Sequence, residues 1–103
     1  MNIFVLSKDP VLAAQYQADV HVVKMSLETA QLLSTASIAL FPSTILPANI
    51  YKPSHINHPC TLWAQESYTN FRWLCIHGLS LCREYTYRYS KIHGSKRVIQ
   101  SLY

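Results

Sequence analysis

Polar and charged side chains follow one face of an otherwise apolar segment in the first third of the chain. At about 100° per residue, helical spacing brings five of them into one narrow arc, the polar stripe: His21, Lys24, Glu28, Gln31 and Thr35. A carboxylate beside potential cations can serve as a general acid or base, because neighbouring charge tunes its pKa. Glu28 is therefore the candidate catalytic carboxylate, and His21 and Lys24 would tune it or bind phosphate.

Other interpretations of the polar stripe remain open. It could be the solvated face of an ordinary amphipathic helix, with Lys24 and Glu28 as a weak pair. It could also oppose a second row of side chains that recurs at intervals of three, four and seven residues: Glu66, Asn70, Trp73, His77, Glu84 and Arg88. The resulting polar seam between two helices would be either a catalytic cleft or a structural network that fixes how the helices dock.

Two histidines and a cysteine lie within the six residues from His55 to Cys60. No second cluster with zinc-site spacing accompanies them, so the sequence predicts no metal site. Pro59 can begin a helix, and helix N-termini bind phosphate well, which makes Asn57 and His58 candidate nucleic-acid-binding residues. The alternative is that Asn57 only caps this helix and His58 belongs to the loop surface.

Aromatic and basic residues alternate near the C-terminus, from Arg83 to Lys91, and are followed by His93, Lys96 and Arg97. Tyrosine rings can stack on bases while cations pair with phosphates, so the pattern suits DNA. The candidate contacts are Tyr85, Tyr87, Arg88 and Lys91. A basic final turn also complements the helix dipole, which explains part of the pattern without any ligand.

Helices are the elements expected to position these residues. Ser7-Lys8-Asp9-Pro10 offers a cap and a proline suited to the first helical position, which predicts a helix through Tyr16. A second helix, bearing the polar stripe, should run from about Val20 to about Leu40. It should end before Pro42 because the ring disfavours helix in the preceding residue.

A proline-rich loop from Phe41 to His58 separates this helix from the next. The third helix begins at Pro59 and either continues unbroken or breaks near Ser67. His93-Gly94 is expected to stop it, and Ser95–Leu102 could add a short terminal helix.

These elements predict a mainly α fold, a compact bundle of three to five helices with one long Pro-rich loop. The β-branched and aromatic run Ile3–Leu6 adds a short N-terminal extended segment. The 103 residues carry a formal net charge of +4 and suit a single domain over residues 1–103. That charge is compatible with an anionic partner such as nucleic acid but is too small to demonstrate one.

Cellular context follows from the cysteines and the apolar stretches. Three cysteines without a Cys-x-x-Cys pair are expected to be buried thiols in a reducing compartment. The apolar start has no basic region typical of a signal peptide, and prolines interrupt the uncharged stretch between Glu28 and Lys52. We therefore expect a cytoplasmic protein without a membrane span, and no motif calls for a cofactor.

Five segments carry a resemblance to known proteins: Met1–Leu6, His21–Met25, Leu27–Ala36, Asn57–Cys60 and Glu84–Tyr89. Through them the chain resembles a family of small phage and cyanophage proteins. The resemblance implies a phage-encoded protein that acts in the cytoplasm of an infected host cell.

The order of features also resembles that of the pyrimidine-dimer DNA glycosylases. These share an extended N-terminus, a glutamate on an early helix, an Asn-His-Pro segment opening a later helix and an aromatic Tyr-x-Tyr end. The resemblance implies that an N-terminal amine attacks the sugar of a damaged nucleotide to form a Schiff base, supported by a glutamate. Here the amine would be that of a retained Met1, because methionine is not readily removed before asparagine, and the carboxylate would be that of Glu28.

The expected function is a phage-encoded DNA-acting protein, a DNA glycosylase or abasic-site lyase. The alternative is a non-catalytic phage accessory protein that binds nucleic acid, a nucleotide or a host protein.

Overall fold

The computed structural model describes residues 8–41, 46 and 49–103, and most of these lie in helices. Five helices occur in these ranges: Pro10–Gln15 (α1), Asp19–Leu40 (α2), Pro59–Gln65 (α3), Tyr68–Tyr89 (α4) and Lys96–Leu102 (α5). The described residues contain no strand, and the expected mainly α fold is confirmed. The extended segment predicted at Ile3–Leu6 and part of the Pro-rich loop lie outside them.

Local sequence sets the starts of α1 and α4. Asp9 caps α1, its Oδ1 accepting from the backbone N–H of Val11 at 2.8 Å, and Pro10 occupies the first turn. Ser67 caps α4, its Oγ accepting from Asn70 N at 3.1 Å, so the third predicted helix breaks there into α3 and α4. Each cap satisfies a backbone donor that the first helical turn leaves unpaired.

The end of α4 differs from the expectation. The helix stops at Tyr89, not at His93-Gly94, because Ser90 adopts a left-handed conformation (φ 57°) as its C-cap. His93 then fixes the turn before α5, its Nε2 donating to Val23 O at 3.2 Å and its Nδ1 accepting from Ser95 N at 3.1 Å. A non-glycine residue in this conformation is uncommon, so the sequence gives little warning of such a stop.

The two longest helices, α2 and α4, pack together and form the centre of the fold. At their closest approach, a Cβ built on Gly78 of α4 would lie 2.8 Å from Thr29 Cγ2 on α2 and 2.8 Å from Ile99 Cδ1 on α5. Only glycine fits at this position without displacing a neighbour. Thr29 therefore marks the face of α2 that is buried against α4.

Cys75 and Cys82 are buried in the core as free thiols, as the sequence predicts, whereas Cys60 is a free thiol that is only partly buried. Burial raises the pKa of the Cys75 thiol to about 12 and that of Cys82 to about 11. Both thiols are therefore protonated and unreactive at neutral pH. No helix in the described part of the chain is long and apolar enough to cross a membrane.

Candidate active site and nucleic-acid surface

Glu28 lies on α2 with its side chain almost fully buried, at 6% exposure. Its Oε2 atom is shielded from solvent and has no hydrogen-bond partner among the described residues. The neighbouring positions on the helix surface are Lys24, which is exposed, and Leu32, which is buried. The carboxylate therefore sits where the solvent-facing edge of α2 meets its buried side.

This burial is at odds with the simple interpretation of the polar stripe as a solvated helix face. Among the described residues, Glu28 forms no ion pair, with Lys24 or with any other cation. Lys24 is exposed and His21 is half-buried on the same stripe. The stripe thus carries one buried carboxylate, an exposed lysine about one turn from it and a half-buried histidine about two turns from it.

The polar stripe packs against the loop segment 54–58. Thr35 Oγ1 donates to Ser54 O at 2.7 Å and accepts from Ser54 N at 2.9 Å. One turn nearer Glu28, Gln31 Oε1 accepts from His55 Nε2 at 3.3 Å. These three bonds hold the loop over the stripe on the C-terminal side of Glu28.

The side chains of the second row form hydrogen bonds with a different part of the chain than the polar stripe does. Trp73 Nε1 donates to Lys8 O at 2.9 Å, and His77 Nδ1 donates to Pro10 O at 3.1 Å. The row therefore meets α1 and the residues before it, whereas the stripe meets the loop. The predicted polar seam between the two rows is wrong, because α1 packs on the face of α4 that the seam required.

Arg88 is the most heavily bonded side chain of the second row. Its guanidinium donates to Glu84 Oε1 (3.2 and 3.0 Å), Asp19 Oδ1 (2.9 Å), Gln17 O (2.8 Å) and Gln15 O (3.1 Å). A guanidinium has five N–H donors, so all of them are used inside the protein. Arg88 joins the end of α1 and the start of α2 to α4, and it keeps no donor for a phosphate.

In the Asn-His-Pro segment, residues 57–59, the residue that caps the helix differs from the one expected. His58 is the N-cap of α3, with Nδ1 accepting from Cys60 N at 3.0 Å, so histidine and not Asn57 caps the helix. Asn57 is exposed and lines a cleft of about 320 Å³ between α2, α3 and the loop. In the sequence, His55 stands out only as part of a weak zinc-binding pattern. In the structure, its ring is the one hydrogen-bonded to Gln31 of the polar stripe.

The remaining C-terminal candidates lie on the surface of α4 or just beyond it. Tyr85 is half-buried against the core, and its ring centroid lies 4.8 Å from that of His93. Tyr87 is 82% exposed and lines a cleft of about 460 Å³ between α4 and α5, together with Arg83 and Lys96. Lys91 is exposed beyond the helix end.

The candidates therefore separate into two groups. His21, Lys24 and Glu28 share the polar stripe, whereas Tyr87 belongs to the cleft between α4 and α5. Met1 lies outside the described residues. Within those residues, no group of three or more His, Cys, Asp or Glu side chains is arranged to hold a metal ion.

The chain was compared with known families, curated proteins and solved structures. The searches of curated proteins and of solved structures returned no significant match. The family model described as pyrimidine dimer DNA glycosylase matches residues 1–97, which is nearly the whole chain. On that match, the chain belongs to the pyrimidine dimer DNA glycosylase family.

Proposed function

We propose that this protein is a DNA glycosylase and abasic-site lyase in which Glu28 is the catalytic carboxylate. The observation that carries the proposal is the buried Oε2 atom, which has no hydrogen-bond partner in the part of the chain that the structure describes. Leaving a buried carboxylate oxygen unpaired costs stability, and groups kept at such a cost are typical of functional sites. Membership of a family described as DNA glycosylases supports DNA as the substrate.

The proposed nucleophile is the α-amine of Met1, as the family resemblance implies. Its nitrogen lone pair attacks C1′ of the damaged nucleotide, and the bond from C1′ to the base breaks, with its electrons leaving on the base. The nitrogen then gives a proton to Glu28, which passes it to O4′ as the C1′–O4′ bond breaks, the sugar ring opens and a C=N bond forms. The departing base takes its proton from water.

The lyase step uses the same carboxylate. A protonated Schiff base at C1′ makes the neighbouring C2′ proton acidic, and its removal expels the 3′ phosphate and breaks the strand. Glu28 is proposed as the base for this step too. Water then hydrolyses the C=N bond and returns the free amine.

Lys24 and His21 are proposed to hold phosphates of the bound strand. Both lie on the polar stripe beside Glu28, and Lys24 is exposed.

A second surface is proposed to contact DNA further from the reacting sugar. The segment 83–97 has five of the nine Lys and Arg residues and one of the five acidic residues, so its formal charge of +4 equals that of the whole chain. In the cleft between α4 and α5, Tyr87 offers a stacking surface beside Arg83 and Lys96. Lys91 is proposed to extend this surface. Tyr85 does not line the cleft but packs against the core cluster that includes Val22 and Leu81, and Arg88 serves the fold.

Glu28→Gln tests the catalytic assignment, with Glu66→Gln as a matched change at an exposed carboxylate. We expect Glu28→Gln to abolish incision of duplex DNA carrying an abasic site while thermal stability and DNA binding stay near those of the unmodified protein. Glu66→Gln should change none of the three. Incision by Glu28→Gln at the normal rate would contradict the proposal.

The alternative is a phage accessory protein that binds nucleic acid, a nucleotide or a host protein without catalysis. In that case Glu28 belongs to a structural network, so replacing it should lower the melting temperature and remove no activity. The phage origin itself remains a prediction from the resemblance of the five segments.

A further inference from the structure

The loop over the polar stripe is fixed at two points that lie one helical turn apart on α2. The paired bonds between Thr35 and the backbone of Ser54 hold the start of the loop. The bond from His55 Nε2 to Gln31 Oε1 holds the next residue. Gln31 follows Glu28 by three residues, so their Cβ atoms lie about 5–6 Å apart, and His55 is bonded to the stripe residue one turn beyond the proposed catalytic carboxylate.

His55 is held in an unfavourable backbone conformation. Its φ is 53°, and only one other described non-glycine residue, Ser90, has a positive φ. Ser90 has the left-handed conformation usual for the residue that ends a helix. The turn at His55 is closed by the hydrogen bond from His58 N to His55 O. Glycine or asparagine would adopt this backbone conformation at a lower energetic cost than histidine.

The ring of His55 has one nitrogen available for a ligand. An imidazolium has two N–H donors, and the one on Nε2 is used by Gln31. Nδ1 has no hydrogen bond in the described part of the chain, and His55 is exposed. By contrast, Nδ1 of His58 is occupied by the helix cap.

We propose that His55 is a substrate-contacting residue, which donates from Nδ1 to a phosphodiester oxygen of the DNA strand that Glu28 acts on. The inference rests on the proposed function and adds to it a residue that the family resemblance does not supply. An anion is the expected partner because Lys24 on the stripe and His55 on the loop are both exposed, while the one carboxylate of the stripe, Glu28, is buried. The strained backbone is then retained because it aims the ring at the strand.

His55→Gly removes the ring and relieves the backbone strain, and His55→Asn does the same with a residue that tolerates this conformation. Ser90→Gly is the matched control, because it relieves the same strain away from the polar stripe. The probe is a fluorescein-labelled duplex with a tetrahydrofuran abasic analogue, which the amine cannot convert to a Schiff base. Its Kd is measured by anisotropy at pH 6, where imidazole rings carry much of their charge.

We expect the melting temperature to be unchanged or raised in all three variants. Both His55 variants should bind the duplex about tenfold more weakly, the loss expected for one charged hydrogen bond, whereas Ser90→Gly should bind normally. On a natural abasic site, the rate at saturating protein should stay near that of the unmodified protein, because the contact is present before and during reaction.

Two results would overturn the inference while leaving the proposed function intact. Binding by both His55 variants within twofold of normal would mean that the ring does not contact DNA. Weak binding accompanied by a clear fall in melting temperature would mean that His55 serves the fold. If the unmodified protein neither binds the tetrahydrofuran duplex nor incises a natural abasic site, the proposed function fails and the inference fails with it.

Discussion

Replacing Arg88 with methionine is predicted to destabilise the fold strongly. Methionine keeps an unbranched apolar stem but removes all five hydrogen bonds. The carboxylate of Glu84 would lose its partner, and the carbonyls of Gln15 and Gln17 would lose theirs. The expected loss of stability comes mainly from leaving these groups unpaired, and less from losing their attraction to Arg88.

The expected size of this destabilisation depends on how deeply the ion pair between Arg88 and Glu84 is buried. Removing one partner of a fully buried ion pair costs about 3–5 kcal/mol. Here the side chains of Arg88 and Glu84 keep 18% and 16% of their exposure, and Asp19 keeps 74%. Solvent screening lowers the expected cost to about 2–4 kcal/mol, or about 10–20 °C in melting temperature for a domain of this size.

Urea unfolding of Arg88→Met, measured by circular dichroism, tests this prediction. Lys91→Met is the control, since Lys91 is exposed and should change stability by less than about 0.5 kcal/mol. Adding Glu84→Gln to Arg88→Met should recover part of the loss, because the stranded charge is removed. A free energy of unfolding for Arg88→Met within about 0.5 kcal/mol of normal would refute the structural role of Arg88.

Two further predictions concern the cleft and a buried histidine. Arg83→Gln should weaken DNA binding and reduce the slope of log K against log salt by about 0.9, whereas Arg72→Gln, an exposed arginine on the same helix but outside the cleft, should leave the slope unchanged. Equal effects of the two changes would argue against DNA in the cleft. Burial lowers the pKa of His77, so its contribution to stability is present above the ordinary histidine pKa of about 6.5 and is lost as pH falls below it. In His77→Gln, stability measured between pH 7 and 5 should fall less steeply, and an unchanged slope would contradict the assignment.

The sequence predicted the helices well where local chemistry determines them. Apolar periodicity located α2 and α4. Asp9-Pro10 and Ser67 marked the starts of α1 and α4, because a helix cap depends on only a few adjacent residues. The end of α4 was missed because it depends on Ser90 in a conformation that serine rarely adopts.

The candidate site was predicted in part. Helical spacing grouped His21, Lys24 and Glu28 on one face, and the structure adds that Glu28 is buried there. The pairing of the two polar rows could not be foreseen, since it depends on which element packs against each face. For the same reason, Arg88 looked like a phosphate ligand until its five internal hydrogen bonds were known.

The most direct test of the central claim is borohydride trapping on duplex DNA carrying an abasic site or a thymine dimer. A Schiff base between the amine of Met1 and C1′ would be reduced to a stable cross-link, visible as a shifted band on a denaturing gel. We predict that the unmodified protein is trapped and that acetylation of its N-terminus abolishes the adduct, whereas Glu66→Gln is trapped normally. Absence of an adduct from folded, DNA-binding protein, or an adduct that survives N-terminal acetylation, would contradict the proposed mechanism.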